Sequence, residues 1–266
     1  MIVRRYLLLA SAEFRRQSTY RLALAAGISA NTVFGFIRFS VFYAALVGAG
    51  GTIAGYDRAQ ASTYVWLGQG LLAGIGLLGT HDVSERVQTG EIAIDLSRPI
   101  DLQLSYWARD FGRAALMIPA RGLLPVIIGA VTTGLAFSPS LWAIPLGLIS
   151  LALAVSISFL LRYGVNLISL WTIDVQGYTS LYMLLMSLLS GFYVPVHIFP
   201  GWLQAIATAS PFPSMFQSPI DVMSGRVVGA AALRVVGVQL VWTIVLATAT
   251  RLMLWRGSSR LVVQGG

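Results

Sequence analysis

The sequence predicts an all-α membrane protein with six transmembrane helices, an N-terminal amphipathic helix at the membrane surface and a polar cytoplasmic segment between the second and third spans. Three observations predict it. Of the 266 residues, 56% are hydrophobic and 11% are charged, against about 25% charged residues in soluble domains. Apolar runs long enough to cross a hydrocarbon core recur along the whole chain. Six of the ten carboxylates fall in one stretch, at Asp82, Glu85, Glu91, Asp95, Asp101 and Asp110. A soluble helical core of this size could not hide so much apolar surface.

In chain order, Arg4 and Arg5 precede the apolar Tyr6–Ala12, but Glu13, Arg15 and Arg16 follow at once, which argues against a cleaved signal peptide. Val3, Tyr6, Leu7, Ala10 and Phe14 share one helical face, and Arg5, Arg15 and Arg16 lie off it. Residues of about 2–18 therefore predict an amphipathic helix lying on the membrane. Six spans follow, at about Leu22–Val47, Ala61–Thr80, Ala114–Phe137, Leu141–Leu161, Gly177–Val196 and Val235–Leu254. In the second, Gly68, Gly70, Ala73, Gly74 and Gly76 suit close helix packing. Pro119, Arg121 and Pro125 interrupt the third, and Ser138-Pro139-Ser140 makes a tight turn after it. Arg162–Gln176 is too apolar for a free loop and predicts helical extensions below the membrane, with Asp174 placed to pair with Arg162. Residues of about 198–234, whose first two-thirds are rich in Pro and Ser, lie outside.

Charge sets the orientation. The net charge is +8, and every basic residue is Arg. With the N-terminus inside, thirteen arginines fall on cytoplasmic flanks, and three, Arg58, Arg226 and Arg234, fall outside. Cytoplasmic flanks collect basic residues, so the basic balance records topology rather than nucleic-acid binding. Both termini and the polar stretch Ser84–Arg113 are then cytoplasmic. Within that stretch Thr89 and Gly90 end one helix, and Gly90–Leu96 can form a short helix with Ile92 and Leu96 on one side. Pro99 stops it, and Asp101 is an N-cap for a helix that rises into the third span.

The order Glu85-Arg86, Thr89-Gly90-Glu91, Leu96-Ser97-Arg98-Pro99 and Gly112-Arg113 resembles the signature of permeases of the drug- and polysaccharide-exporting ABC transporter class, which have the type V exporter fold. Ser190-Gly191 through Pro195, Phe199-Pro200 and Pro211 is similar to that class's external helical hairpin, placed here at about 198–234. Arg98–Asp101 and Tyr106–Asp110 depart from the commonest pattern and resemble the branch in which two different permeases are paired. The resemblance covers essentially the whole chain and implies a single permease domain over residues 1–266. It implies the transmembrane subunit of an ATP-driven exporter, with a cytoplasmic coupling helix inside about 84–113 that docks on a separate ABC ATPase. A second permease, the same chain or a different one, and membrane lipids are the other implied partners. The implied ATPase-coupling residues are Glu85, Arg86, Glu91, Asp95 and Arg98. Glu91 and Asp95 would pair with basic groups on the ATPase, and Arg86 and Arg98 would hold the local shape. No cofactor is implied in this chain; ATP and Mg would sit on the partner. The implied location is the bacterial plasma membrane, an inner membrane, with both termini cytoplasmic.

Other chemistry is restricted. The chain has no Cys, which removes disulfides and thiolate sites. It has no Lys and no GxxxxGK[ST] motif, so it does not bind ATP in the P-loop manner. With only two His, no Ser/His/Asp arrangement is compelling. His81 and Glu85 could share a helix face, but a metal would need further ligands. His197 reads as a satisfied interfacial side chain, and the seven Trp as mostly span-end residues. Arg38 and Arg121 sit inside predicted spans, where a central charge costs roughly 2.5–3.5 kcal/mol. With Asp174 they are candidates for intramembrane ion pairs or a pathway. A secondary transporter built on those charges, with no ATPase, is the alternative function.

Overall fold

A computed structural model describes residues 2–76, 82–137, 140–172 and 174–259, apart from the side chains of Ile2 and Asp82. The end of the second expected span (77–80), His81, two residues of the expected turn (138–139) and Arg260 lie outside the described residues. The elements are α1 (Ile2–Ser18), α2 (Arg21–Gly48), α3 (Arg58–Ile75), α4 (Asp82–Gln88), α5 (Ile92–Ser97) and α6 (Leu102–Met117). A π-helical turn (Ile118–Gly122) joins α6 to α7 (Leu123–Thr132), and α8 (Ala143–Leu167) and α9 (Gln176–Leu189) follow. Three short helices, α10 (Gly201–Thr208), α11 (Phe212–Met215) and α12 (Gln217–Met223), precede the long α13 (Gly229–Ser258). Among the described residues there is no β-strand, only an isolated bridge between Ile53 and Tyr56.

Among the described residues, four helical segments are long and apolar enough to cross a membrane, against six spans expected: Arg21–Gly48, Leu102–Thr132, Ala143–Leu170 and Gly229–Ser258. They carry rows of large apolar side chains on their outer faces. Val33, Ile37 and Val41 of α2 and Leu240, Val241 and Ile244 of α13 are all about half exposed or more. Apolar surface this continuous is what a lipid-facing helix presents. Leu181, Leu184 and Leu188 continue the same surface on the shorter α9.

The centre of the molecule is α3. Its start is fixed by a reciprocal cap: Asp57 Oδ1 accepts from the Gln60 N–H at 2.8 Å, and Gln60 Oε1 accepts from the Asp57 N–H at 3.3 Å. Every residue from Ala61 to Leu71 is buried, so this helix meets neighbours on all sides. It touches α2, the α6–α7 unit, α8 and α12. The small residues permit that approach. A Cβ on Gly122 would collide with the carbonyl of Gly70, one on Gly74 with Ile118, and ones on Gly35 and Gly129 with the six- and five-membered rings of Trp66. Trp66 is thus fully buried between α2 and α7, donating to Thr133 Oγ1 at 2.9 Å. The expectation of a span-end tryptophan fails here because two glycines make a slot for the indole. Trp142, Trp202 and Trp255 are about two-thirds exposed or more.

Backbone against backbone leaves no flexible group to move aside, so Gly122→Ala is expected to destabilise by about 1–3 kcal/mol, the usual cost of overpacking. Gly237 on α13 has open space around its Cβ direction. Gly237→Ala is expected to be neutral or stabilising by up to about 1 kcal/mol. Thermal unfolding in detergent compares the two; equal midpoints would contradict the packing described.

Within residues 198–234, where an external helical hairpin is expected, three short helices precede the start of α13, and the last two turn inward against α8, with Met215, Phe216, Ile220 and Val222 at most 1% exposed. One expectation changes: Asp174 does not meet Arg162. Its Oδ1 accepts from the Gln176 N–H at 2.7 Å at the start of α9, while Arg162 turns to Asp110 on α6.

Candidate functional site

The polar stretch folds into three connected pieces. Val83 and Ser84 of α4 are buried, and α4 packs on α8 and the turn after it. Gly90, at φ 77°, reverses the chain into α5. In a six-residue helix, Ile92 and Asp95 share the inner face and are both buried. Asp101 then caps α6 as the sequence predicts, its Oδ1 accepting from the Leu104 N–H at 2.8 Å.

One guanidinium ties α4 to α5. Arg86 Nε donates to Asp95 Oδ2 at 2.6 Å, and its Nη1 lies 3.0 Å from Glu91 Oε2. The Tyr106 hydroxyl of α6 donates to the same Asp95 oxygen at 3.2 Å, and Arg98 Nη1 lies 3.5 Å from the other. The hydrogen bond to Asp95 raises the pKa of Arg86 further, beyond an already permanent charge. Asp95 is therefore a correction to the expected role. Its side chain is 8% exposed, and its two oxygens are taken up by three internal partners, so it does not offer a carboxylate to another protein. Glu91, although paired with Arg86, keeps a side chain 54% exposed. Ile94 and Leu96 also face outward from α5, at 57% and 37% exposed. Leu96 was expected on the side of Ile92, but Asp95 takes the inner position because Arg86 and Tyr106 converge there.

The linker from α5 to α6 gathers more of the chain. Arg5 Nη1 donates to the Pro99 carbonyl at 3.4 Å, and the Asp101 N–H donates to the Tyr6 hydroxyl at 3.3 Å. Arg251 of α13 pairs with the Asp101 carboxylate. A Cβ on Gly112 would strike the Ala10 carbonyl, so α1 lies directly on α6. The face of α1 turned inward carries Tyr6, Leu9, Ala10, Glu13 and Gln17, leaving Val3, Leu7 and Phe14 exposed. Displacement of α5 would thus reach α1, α6 and α13 through direct contacts.

Beside this unit lies a cavity of about 1120 Å³ bordered by α1, α2, α4, α6 and α8. Asp110 Oδ1 is 2.9 Å from Arg113 Nε, and its Oδ2 is 3.1 Å from Arg162 Nη2. Arg113 also donates to the Ala73 and Gly74 carbonyls at 2.7 and 2.9 Å, closing the end of α3. Glu85 lines the cavity and has no ion pair among the described residues. Arg121 lies against Gly27 of α2, and its Nε is buried without a hydrogen bond. Arg38 stacks on Phe192, its Cζ 4.2 Å from the ring centre. Among the described residues neither of these two arginines has a carboxylate partner, and neither contacts Asp174 in an ion pair.

At the opposite end of α3 is a polar network that the sequence did not announce. Gln217 Oε1 accepts from the Tyr64 hydroxyl at 2.8 Å and from the Val196 N–H at 3.1 Å. Its amide nitrogen donates to both oxygens of Asp221 at 2.9 Å and to the Tyr56 hydroxyl at 3.3 Å. His197 Nε2 meets Asp221 Oδ2 at 2.9 Å, so this histidine is satisfied. Burial first, and then the negative charge of Asp221, raise the pKa of the Tyr56 phenol well above its ordinary value, although Arg226 over its ring opposes them. The only sequence signal here was an isolated Asp and Gln four apart in a Pro-rich stretch.

The family model described as ABC-2 family transporter protein matches residues 30–265. No curated protein and no solved structure matches the chain.

Proposed function

The chain belongs to the ABC-2 family of transporter proteins, and from that premise we propose that it is the permease of an ATP-driven exporter, with α5 as the element through which a separate ABC ATPase moves it. As a membrane subunit of an ABC transporter it leaves ATP hydrolysis to a partner. In this reading ATP and Mg are bound by that partner, and this chain contributes the pathway together with a second permease, identical or not. We take α3 and α9 as the two spans that complete six alongside the four long apolar segments. The arginine distribution supports cytoplasmic termini in a bacterial plasma membrane, with α1 lying at the inner surface and its exposed Val3, Leu7 and Phe14 toward lipid.

The observation that carries the reading is the construction of the α4–α5–α6 unit. A six-residue helix is held from inside by Arg86, Asp95 and Tyr106, while Ile94 and Leu96 point away from the protein and Glu91, paired with Arg86, stays half exposed. An element stiff on its inner side and free on its outer side is suited to passing on a push. Its neighbours α1, α6 and α13 receive that push through Arg5, Tyr6 and Arg251. Nucleotide state would act by favouring one of two arrangements of the spans.

Recovery of a stoichiometric ATPase with the permease purified in mild detergent tests the reading. A chain that transports but never retains an ATPase would instead favour a secondary transporter using Arg38, Arg121 and Asp174. Glu91→Arg is the finer test. The side chain is half exposed, and Arg86, which the new charge repels, keeps Asp95, so the fold is expected to survive although the Arg86 fork loses one arm. Transport-coupled ATP hydrolysis is expected to fall, because a like charge now faces the basic groups of the partner. Normal coupling in this variant would remove Glu91 from the docking surface.

A further inference from the structure

The cavity between α1, α2, α4, α6 and α8 is lined by charged and apolar side chains together. Among the described residues its walls hold six arginines, Arg16, Arg86, Arg109, Arg113, Arg121 and Arg162, against four carboxylates, Glu13, Glu85, Glu91 and Asp110. The pairing is uneven. Glu13 contacts Arg16, and Glu91 contacts Arg86. Asp110 alone serves both Arg113 and Arg162. Arg109 and Arg121 contact no carboxylate among the described residues; Arg109 lies over the Tyr106 ring, with its Cζ 5.5 Å from the centre. Buried donors are left over, since the Nε groups of both Arg121 and Arg162 make no hydrogen bond. A buried N–H without an acceptor costs free energy that a bound anion would recover.

The arginines are also arranged in depth. Arg109, Arg113, Met117 and Arg121 succeed one another at four-residue steps, and all four line the cavity. Such steps overshoot the 3.6-residue turn of an α-helix, so the stripe would drift off the face. The wider π-turn at Ile118–Gly122 takes back part of that drift. Rising 1.5 Å per residue, the column from Arg109 to Arg121 spans roughly 18 Å. Leu9, Phe34, Leu72, Met117 and Phe159 supply apolar wall alongside it. Cations in depth beside apolar side chains match a ligand with an anionic head and an apolar body.

We propose that this cavity binds an anionic amphiphile through a phosphate-type head group, with Arg109 and Arg121 as the head-group contacts and the apolar wall on the α1 and α2 side taking its hydrocarbon part. The same head chemistry is available from a membrane phospholipid and from a soluble phosphate ester. The site concerns this chain alone and stands whether or not an ATPase is coupled to it.

Native mass spectrometry of the purified chain in detergent tests this with three probes: phosphatidylglycerol, phosphatidylcholine of the same acyl chains, and glycerol 3-phosphate. Phosphatidylglycerol is expected to be retained over phosphatidylcholine. The double variant Arg109→Gln/Arg121→Gln is expected to weaken that retention by about tenfold or more, the size of one lost hydrogen bond between charged groups. Arg109→Gln alone changes a side chain that holds no ion pair and gives the same direction if the double variant is poorly folded. Arg234→Gln removes an equal charge from an exposed position on α13 and is expected to retain the lipid normally. Displacement of phosphatidylglycerol by glycerol 3-phosphate would support the site and identify the head group as sufficient. Failure of displacement with the variant pattern intact would support it with the lipid as ligand. Equal retention of the two lipids, or equal loss in the cavity variants and Arg234→Gln, would overturn it. The measurement contains no ATPase, so its outcome is independent of the coupling tests.

Discussion

Gln217→Ala is expected to lower the unfolding free energy by about 3–5 kcal/mol, because it strands several buried polar groups at once. Gln217 is 3% exposed and uses both ends of its amide. On its removal the Val196 N–H loses its acceptor, Tyr56 loses its side-chain hydrogen bond, and Asp221 loses the amide donor that faces both its oxygens. Tyr64 keeps the Gly191 carbonyl at 2.5 Å, and Asp221 keeps His197. The loss is thus spread over three elements that Gln217 joins, the loop before α3, the turn at Val196–Ile198 and α12. Gln217→Glu separates polarity from packing. It preserves the volume but places a carboxylate oxygen where Asp221 requires a donor. At neutral pH it is expected to be at least as unstable as Gln217→Ala. Thermal unfolding in detergent or nanodiscs reads both variants. A Gln217→Glu protein as stable as the parent would show that the amide acts as filler and that the network is not what joins these elements.

The legible parts of the fold were those decided locally. The apolar runs predict six spans, of which four are helical segments long and apolar enough to cross a membrane among the described residues, and the cap at Asp101 needed only the three residues after it. The glycines of α3 announced close packing before any partner was known. What was hidden depended on distant residues. Trp66 could not be told from a belt tryptophan without Gly35 and Gly129, which come from two other helices. Gln217 has Asp221 four residues on, but the two tyrosines that complete its network lie 153 and 161 residues away, so the pair alone did not mark it. In the polar stretch, the short helix and its charges were visible, but their facing was not. A six-residue helix is too short for a period to identify its buried side. Which acid turned inward was decided by Arg86, nine residues earlier, and Tyr106, eleven residues later. Asp110 reads from the sequence only as part of a charged stretch, because its second arginine lies 52 residues on, in α8.

Asp95 and Arg86 then carry the largest expected effect on function. Arg86→Ala is expected to reduce substrate-stimulated ATP hydrolysis while leaving the chain folded. Arg86 is 31% exposed and Asp95 8%, so solvent screening reduces the value of the pair to about 1–2 kcal/mol. Asp95 keeps Arg98 and the Tyr106 hydroxyl in the variant, which limits the penalty of an unpaired carboxylate. What is lost is the fork that holds α5 to α4. A bias of 1–2 kcal/mol between two arrangements of α5 corresponds to about five- to thirty-fold in their populations, and coupling should fall within that range. Arg86→Lys retains the charge but not the planar fork that serves Asp95 and Glu91 together, so it is expected to recover only part of the loss. Asp95→Asn removes the inner anchor while Glu91 still holds Arg86 and should match Arg86→Ala in direction. The readout is the stimulated fraction of ATP hydrolysis at equal amounts of assembled complex, since a variant that merely fails to assemble would lose basal and stimulated rates together. If Arg86→Ala assembles and is stimulated like the parent, the rigidity of α5 is not part of the coupling. The push would then have to enter through α1, whose contact with α6 at Gly112 is independent of Arg86.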